Sequence, residues 1–248
     1  MSIRDRLSRM YDRVANSAPV VDRRLADIDA ETRAIFRAVS DFTMTSPERI
    51  AAVCDAVRYV TRAKIAGAYV ECGVWRGGSS MAAARALMEA GDRTRDLYLF
   101  DTFEGMSEPS RHDRRAEDDT SALVLLDRAS ATDKIWCRAS LEDVKANMAS
   151  TGYPAEKVHL CRGKVEDTLP GQAPDEIAIL RLDTDWYEST RHELEHLYPR
   201  LAVGGVLIID DYGYWAGARK AVDDYFVDRP LLLNRIDQTG RMAVKTQA

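Results

Sequence analysis

The chain has 248 residues, of which 46% are apolar and 30% charged, the balance of a folded globular protein long enough for one large α/β unit. Its formal charge of -5 argues against a general nucleic-acid binder, which needs a basic field, and no apolar stretch reaches the roughly 20 residues that cross a bilayer. The first residues lack the apolar run and cleavage site of a secretory signal, and Cys54, Cys72, Cys137 and Cys161 form no C-x-x-C pair, so a cytoplasmic protein with reduced thiols is expected.

Residues 1–45 read as a polar helical arm, with Leu7, Met10 and Val14 spaced along one face. Such an arm suits dimerisation or the capping of a substrate pocket, and its basic run RDRLSRMYDR reads as a solvated face. Ser46, Pro47 and Glu48 then open a helix expected to reach about Lys64: an N-cap serine, a proline in the first turn and an acid at the positive end. The remainder, 46–248, reads as the main domain. AYVECGV, DLYLFDTF, KVHLCRG, EIAILRLD and GGVLIIDD are short apolar runs with the character of strands buried on both faces. Amphipathic stretches near 78–90, 140–150 and 187–200 separate them. The alternation predicts an α/β fold with a doubly wound, mainly parallel sheet. The tail LLLNRI-DQTG-RMAVKT predicts an antiparallel hairpin at the sheet edge. Residues 104–121, EGMSEPSRHDRRAEDDTS, form a long polar loop after a strand end, either a disordered excursion or, the favoured reading, a lid over a site.

Ligands of an open parallel sheet bind beyond the carboxyl ends of its strands. Those ends carry Glu71, Asp101, Asp183, Asp185, Asp210 and Asp211. Six acids on one rim repel one another in a low-dielectric cleft, so a bound cation or cationic cofactor is the expected compensation. The turn Glu71-Cys72-Gly73-Val74-Trp75-Arg76-Gly77-Gly78 has the spacing G-x-x-x-G-G and lacks the G-x-G-x-x-G of a dinucleotide site. An acid before its first glycine disfavours phosphate and suits an amino group, while Asp101 stands where it could accept hydrogen bonds from a ribose diol. Asp183 and the Asp210–Asp211 pair should end adjacent strands. Carboxylates without histidine or cysteine make a hard oxygen site, suited to Mg²⁺. Asp185, two residues on, is the candidate base. His192-Glu193-Leu194-Glu195-His196 matches the zinc-protease pattern H-E-x-x-H, but Leu194, Leu197, Tyr198 and Leu201 form the apolar stripe of that helix. This puts both histidines on the solvated side, so the zinc reading is rejected.

Taken in order, VECGVWRGGSS, LFDTFEG, LRLDTDWYEST and GGVLIIDDYGYW closely resemble the macrocin O-methyltransferase family, over about Thr43 to Phe226. The resemblance implies a Rossmann-like methyltransferase sheet, S-adenosylmethionine as methyl donor, Mg²⁺, a homo-oligomer, and a sugar hydroxyl of a glycosylated natural product or its sugar precursor as acceptor. It implies Asp183, Asp210 and Asp211 as metal ligands and Asp185 as general base. The cofactor segments it implies are Glu71, Cys72, Gly73, Val74 and Trp75, then Asp101, Thr102, Phe103 and Gly105. Thr43 and Met44 match a further cofactor contact, and Ser140, Lys164 and Glu166 are expected to border the adenine. A catechol-type Mg²⁺ methyltransferase, an NAD(P)-dependent sugar enzyme and a non-catalytic cofactor-binding module are the alternative readings.

Overall fold

Asp29 and Ser46 cap the first two helices, α1 (Ala30–Val39) and α2 (Pro47–Arg62), by accepting the amides of Thr32 at 2.8 Å and Arg49 at 3.2 Å. Each cap satisfies an amide that the helix itself cannot. The computed structural model describes residues 23–130 and 133–247; most of the expected N-terminal arm, residues 1–22, lies outside the described residues. After α2 come β1 (Ala68–Cys72), α3 (Gly78–Glu89), β2 (Leu97–Asp101), α4 (Ala122–Arg128), α5 (Leu141–Ser150), β3 (Val158–Arg162) and a single turn, α6 (Val165–Thr168). Then follow β4 (Ile177–Leu182), α7 (Tyr187–Leu197), β5 (Leu201–Ile209), α8 (Ala216–Phe226) and the hairpin β6 (Asn234–Arg235) and β7 (Arg241–Val244). Among the described residues no helix is long and apolar enough to cross a membrane.

The strands form one sheet in the order β3-β2-β1-β4-β5-β7-β6. β1 to β5 pair in parallel and β7 pairs antiparallel with both β5 and β6, as the apolar runs and the turn residues of the tail predict. Alternation along each strand feeds two cores. Tyr69, Leu97, Leu99, Ile179 and Ile208 pack with Val53 and Val57 of α2 and Leu87 of α3. Val70, Cys72, Leu180, Leu182 and Ile209 pack on the other face with Leu194 of α7 and Val222 of α8. Each such fully buried side chain contributes about 1.5–3 kcal/mol, so the central strands are held from both sides. A third, smaller cluster joins Ala122 and Leu126 of α4 to Trp186, Trp215 and Ala218, with Met106 packed against it.

The sheet order reverses between β1 and β4, the topological switch point at which an open α/β sheet leaves a crevice. Register then fixes what stands there. Cys72 pairs with Leu182 and Leu182 with Ile209, and the ladder continues as Asp183 N donates to Cys72 O at 2.8 Å and Asp210 N to Leu182 O at 2.9 Å. Gly73, Asp183 and Asp210 therefore leave the sheet side by side. At Gly73 (φ +80°) a Cβ would overlap the Asp183 carbonyl carried on the neighbouring chain segment. Gly91→Ala shares a positive φ but faces open space. Gly73→Ala is expected to lower the unfolding free energy by about 3 kcal/mol or more, against about 1 kcal/mol for Gly91→Ala. Urea midpoints measure both, and equal midpoints would contradict the close approach of the two segments.

Candidate active site

Arg181 is the one cation in an otherwise apolar strand, and it is fully buried. Its Nη1 donates to Glu71 Oε1 and to Asp183 Oδ2, each at 2.7 Å, and its Nη2 donates to Asp210 Oδ1 at 2.5 Å and Thr45 Oγ1 at 3.2 Å. Strand parity explains the set: residues 69, 71, 179 and 181 point to the α2 side of the sheet. Glu71 is completed by Tyr69 Oη, donating at 2.9 Å, and by the Ser80 hydroxyl. Burial raises the pKa of the Glu71 carboxyl and Arg181 opposes that rise. From α2, Arg49 pairs with Asp210 and donates through Nε to Asp237 of the C-terminal hairpin at 3.0 Å. The compensation expected from a bound cation is thus partly supplied by two arginines of the chain itself.

The remaining acids converge elsewhere. Asp183, Asp185 and Asp211 each offer an oxygen within 4.8 Å of the others. Asp211 Oδ2 is buried and accepts no hydrogen bond. Burial, added to by the neighbouring carboxylates, pushes the pKa of Asp183 and Asp211 well up and that of Asp185 to about 7. Asp210, expected among the metal ligands, stands next to this group but has one oxygen on Arg181 and the other on Arg49. Asp185 has φ +68°, and Trp186 N donates back to Thr184 O at 2.8 Å across it. That i to i+2 bond at positive φ is the strained form of γ-turn. No histidine joins such a group among the described residues. His192 and His196 contact each other edge to face on α7, while Glu193 between them is turned into the protein.

Beside the acids lies a cavity of about 520 Å³. It is lined by Thr43, Met44, Glu71, Gly73, Val74, Trp75, Asp101, Thr102, Gly105, Lys164 and Glu166, and by Asp183, Asp185, Asp210 and Asp211. Three residues expected at the cofactor do not line it. Cys72 has the opposite strand parity and is buried against the α7 side. Phe103 turns back into the core on the α2 side. Ser140 is exposed and caps α5, accepting Asp143 N at 3.1 Å. Asp101 does line the cavity, with its carboxylate taken up by backbone: Oδ2 accepts Val74 N at 2.7 Å and Trp75 N at 3.1 Å, and Oδ1 accepts Phe103 N at 2.7 Å. It ties the two turns that follow β1 and β2. Arg49, Thr45, Lys134, Cys137, Tyr214 and Trp215 are among the other residues of the wall. Of the cations only Arg181, alone among apolar neighbours, left a mark that sequence reasoning could have used.

The profile of the macrocin O-methyltransferase (TylF) family matches residues 2–244. The chain belongs to this family. Its relatives include the 8-demethyl-8-(2,3-dimethoxy-alpha-L-rhamnosyl)-tetracenomycin-C 4'-O-methyltransferase of Streptomyces olivaceus, 39% identical over 74% of this chain and 67% of that protein. The mycinamicin III 3''-O-methyltransferase of Micromonospora griseorubida is 32% identical over 82% of this chain and 76% of its own. Among solved structures, that of the O-methyltransferase NovP covers 83% of each chain at 32% identity with a TM-score of 0.71. The protein is accordingly an S-adenosylmethionine-dependent O-methyltransferase with a Rossmann-like fold.

In this methyltransferase Arg181 is the group whose removal should be felt most. Arg181→Met leaves Glu71 and Asp183 buried without their cation, which is expected to cost about 3–5 kcal/mol near neutral pH. The sign follows from the raised folded-state pKa of both acids. Their protonated forms are tolerated below the unfolded-state carboxylate range of about 4, and stability is lost as pH climbs through the higher folded values. Urea unfolding at pH 5 and pH 8 should therefore show a larger deficit for Arg181→Met at pH 8; an equal deficit would refute the role assigned to the guanidinium.

Proposed function

We propose that this family member methylates a hydroxyl of a sugar, either within a glycosylated natural product or on its sugar precursor, and that it uses a divalent cation, Mg²⁺, to do so. The observation that carries the metal reading is the convergence of Asp183, Asp185 and Asp211 beside the cavity, with a buried Asp211 oxygen lacking any donor. An all-carboxylate set of this kind fits a hard cation. The sugar acceptor is supported by relatives whose names specify a rhamnosyl 4'-hydroxyl and a 3''-hydroxyl. The reading includes a small-molecule substrate, a homo-oligomer and a cytoplasmic location, and no nucleic-acid or membrane partner.

Asp183 and Asp211 would hold the cation, with Asp210 as third ligand. The Asp210 oxygens accept one hydrogen bond each here, leaving each a lone pair, and ligating carboxylates are ordinarily hydrogen-bonded by outer groups in this way. When bound, such an ion supplies Lewis acidity, lowering the pKa of an alcohol oxygen that is otherwise a poor nucleophile near neutrality. The turns after β1 and β2, which line the cavity, would hold S-adenosylmethionine, whose sulfonium provides an electrophilic methyl group. Asp185 would accept the hydroxyl proton as the oxygen attacks that methyl in line, the sulfur–methyl bond breaking to leave S-adenosylhomocysteine. Arg181 opposes the effect of burial on Asp183 and Glu71 and fixes both carboxylates, and Trp186 and Trp215 wall the reacting corner with apolar surface. Holding two reactants at bonding distance contributes much of the remaining acceleration.

The test combines product analysis with four substitutions. With S-adenosylmethionine and Mg²⁺, glycosides should gain an O-methyl group on the sugar while the matching aglycones and a catechol do not. Chelation should abolish turnover and added Mg²⁺ restore it. Asp185→Asn should lose about 100-fold or more in kcat yet keep the Mg²⁺-dependent rise in Tm that a ligand of the folded state produces. Asp183→Asn and Asp211→Asn should lose both. If Asp185→Asn loses the Tm rise and Asp210→Asn keeps it, the ligand and base assignments must be exchanged. Methylation of catechol alone would favour the phenolic alternative.

A further inference from the structure

Residues 104–121 are fastened to the body of the protein around the turn that carries Asp185. Ser107 O accepts the indole N–H of Trp186 at 3.0 Å. Asp113, fully buried despite its charge, accepts Ser110 N through Oδ2 at 2.6 Å and Tyr187 N through Oδ1 at 2.7 Å. Tyr187 is the first residue of α7, and the residue in the N-cap position, Trp186, has no side-chain acceptor to offer. Asp113 therefore caps α7 from 74 residues away, placing negative charge at the positive end of the helix. Its seat is built to fit: a Cβ on Gly217 at the start of α8 would overlap Asp113 Oδ1. The neighbouring His112 ring lies 4.7 Å from that of Tyr187.

The two residues so gripped, Trp186 and Tyr187, follow Asp185 directly. The positive-φ γ-turn at Asp185 is strained, and such a conformation persists only where its surroundings over-determine it. Two of those surroundings are the bonds from Ser107 and Asp113. We infer that Asp113 is a positioning residue: by holding Tyr187 N it keeps the strained turn that aims Asp185, and so couples the seating of residues 104–121 to the readiness of the proton acceptor. The inference rests on reading Asp185 as the base, and it predicts a defect in chemistry separate from any defect in cofactor binding.

Asp113→Asn is the test, with Asp118→Asn, which alters an exposed pair with Arg115 in the same segment, as control. Asparagine keeps one acceptor oxygen and turns an N–H toward the other amide. The expected result for Asp113→Asn is a kcat lower by about 10-fold or more, unchanged calorimetric affinity for S-adenosylhomocysteine, and faster tryptic cleavage at the exposed Arg111. Asp118→Asn should match the parent. A 5-fluorotryptophan spectrum, with the Trp186 line assigned through Trp186→Phe, should show that line shifted in Asp113→Asn and not in Asp118→Asn. This last readout needs no turnover, so it tests the coupling even if Asp185→Asn remains active and the base assignment fails. Parent-like kcat alongside faster cleavage would overturn the inference, as would an unmoved Trp186 line. A parallel loss of S-adenosylhomocysteine affinity would also overturn it, by showing general damage to the site.

Discussion

The ion-pair cluster around Arg181 is the constraint on which the rest of the rim depends. One guanidinium, with no access to solvent, bridges acids from the ends of β1, β4 and β5 and reaches Thr45 ahead of α2. Its planar fork serves several carboxylates at once, which a lysine ammonium at the same place could not do with the same geometry. Buried ion pairs contribute little net stability against a well-packed apolar alternative, so this one is better understood as fixing position. It holds the carboxylates of three neighbouring strands in one arrangement, and Arg49 extends the same arrangement to α2 and the C-terminal hairpin.

Two kinds of charge compensation follow, and they fall on different acids. Glu71 and Asp210 are engaged by groups that do not leave: arginines, a tyrosine and a serine. An arginine stays protonated throughout the accessible pH range, so the positive charge beside these two acids is always present. Asp185 and Asp211 lie outside the arginine's reach, and burial drives both toward the protonated form. These two carboxylates have no arginine hydrogen-bonded to them and face the cavity. Asp183 stands at the boundary, with one oxygen on Arg181 and a place in the group that faces the cavity.

Much of this was legible from the chain alone, for reasons that are local. The Ser46–Pro47–Glu48 cap, the strands with apolar residues at every position and the side-by-side exit of Asp183 and Asp210 all follow from patterns a few residues long. Cys72, Phe103 and Ser140 do not line the cavity because a motif names a segment, whereas strand parity and turn geometry decide which of its side chains reach the cavity. The six acids on the rim pointed correctly to a need for positive charge, but their spacing could not say that Arg181 and Arg49 provide part of it. Contacts such as Asp113 to Tyr187 and Arg49 to Asp210 join residues far apart in sequence, and nothing in the local pattern of either partner announces the other.

The distribution of backbone strain gives the same division of labour a second, independent expression. Trp75, Phe103, Cys137 and Asp185 all have positive φ without being glycine, and all four lie in the turns that border the cavity. A glycine at any of them would relieve the conformation but would let the turn relax, since glycine populates both signs of φ about equally. A side chain held there by its surroundings keeps the turn in one state, at a cost the two packed faces of the sheet can offset. Asp101 performs this service for the turns at Trp75 and Phe103 through three backbone amides. At Asp185 no residue of the same turn can do so, because its own carboxylate is directed to the acids. Holding groups come from outside that turn, and residues 104–121 supply two of them, Ser107 on Trp186 and Asp113 on Tyr187.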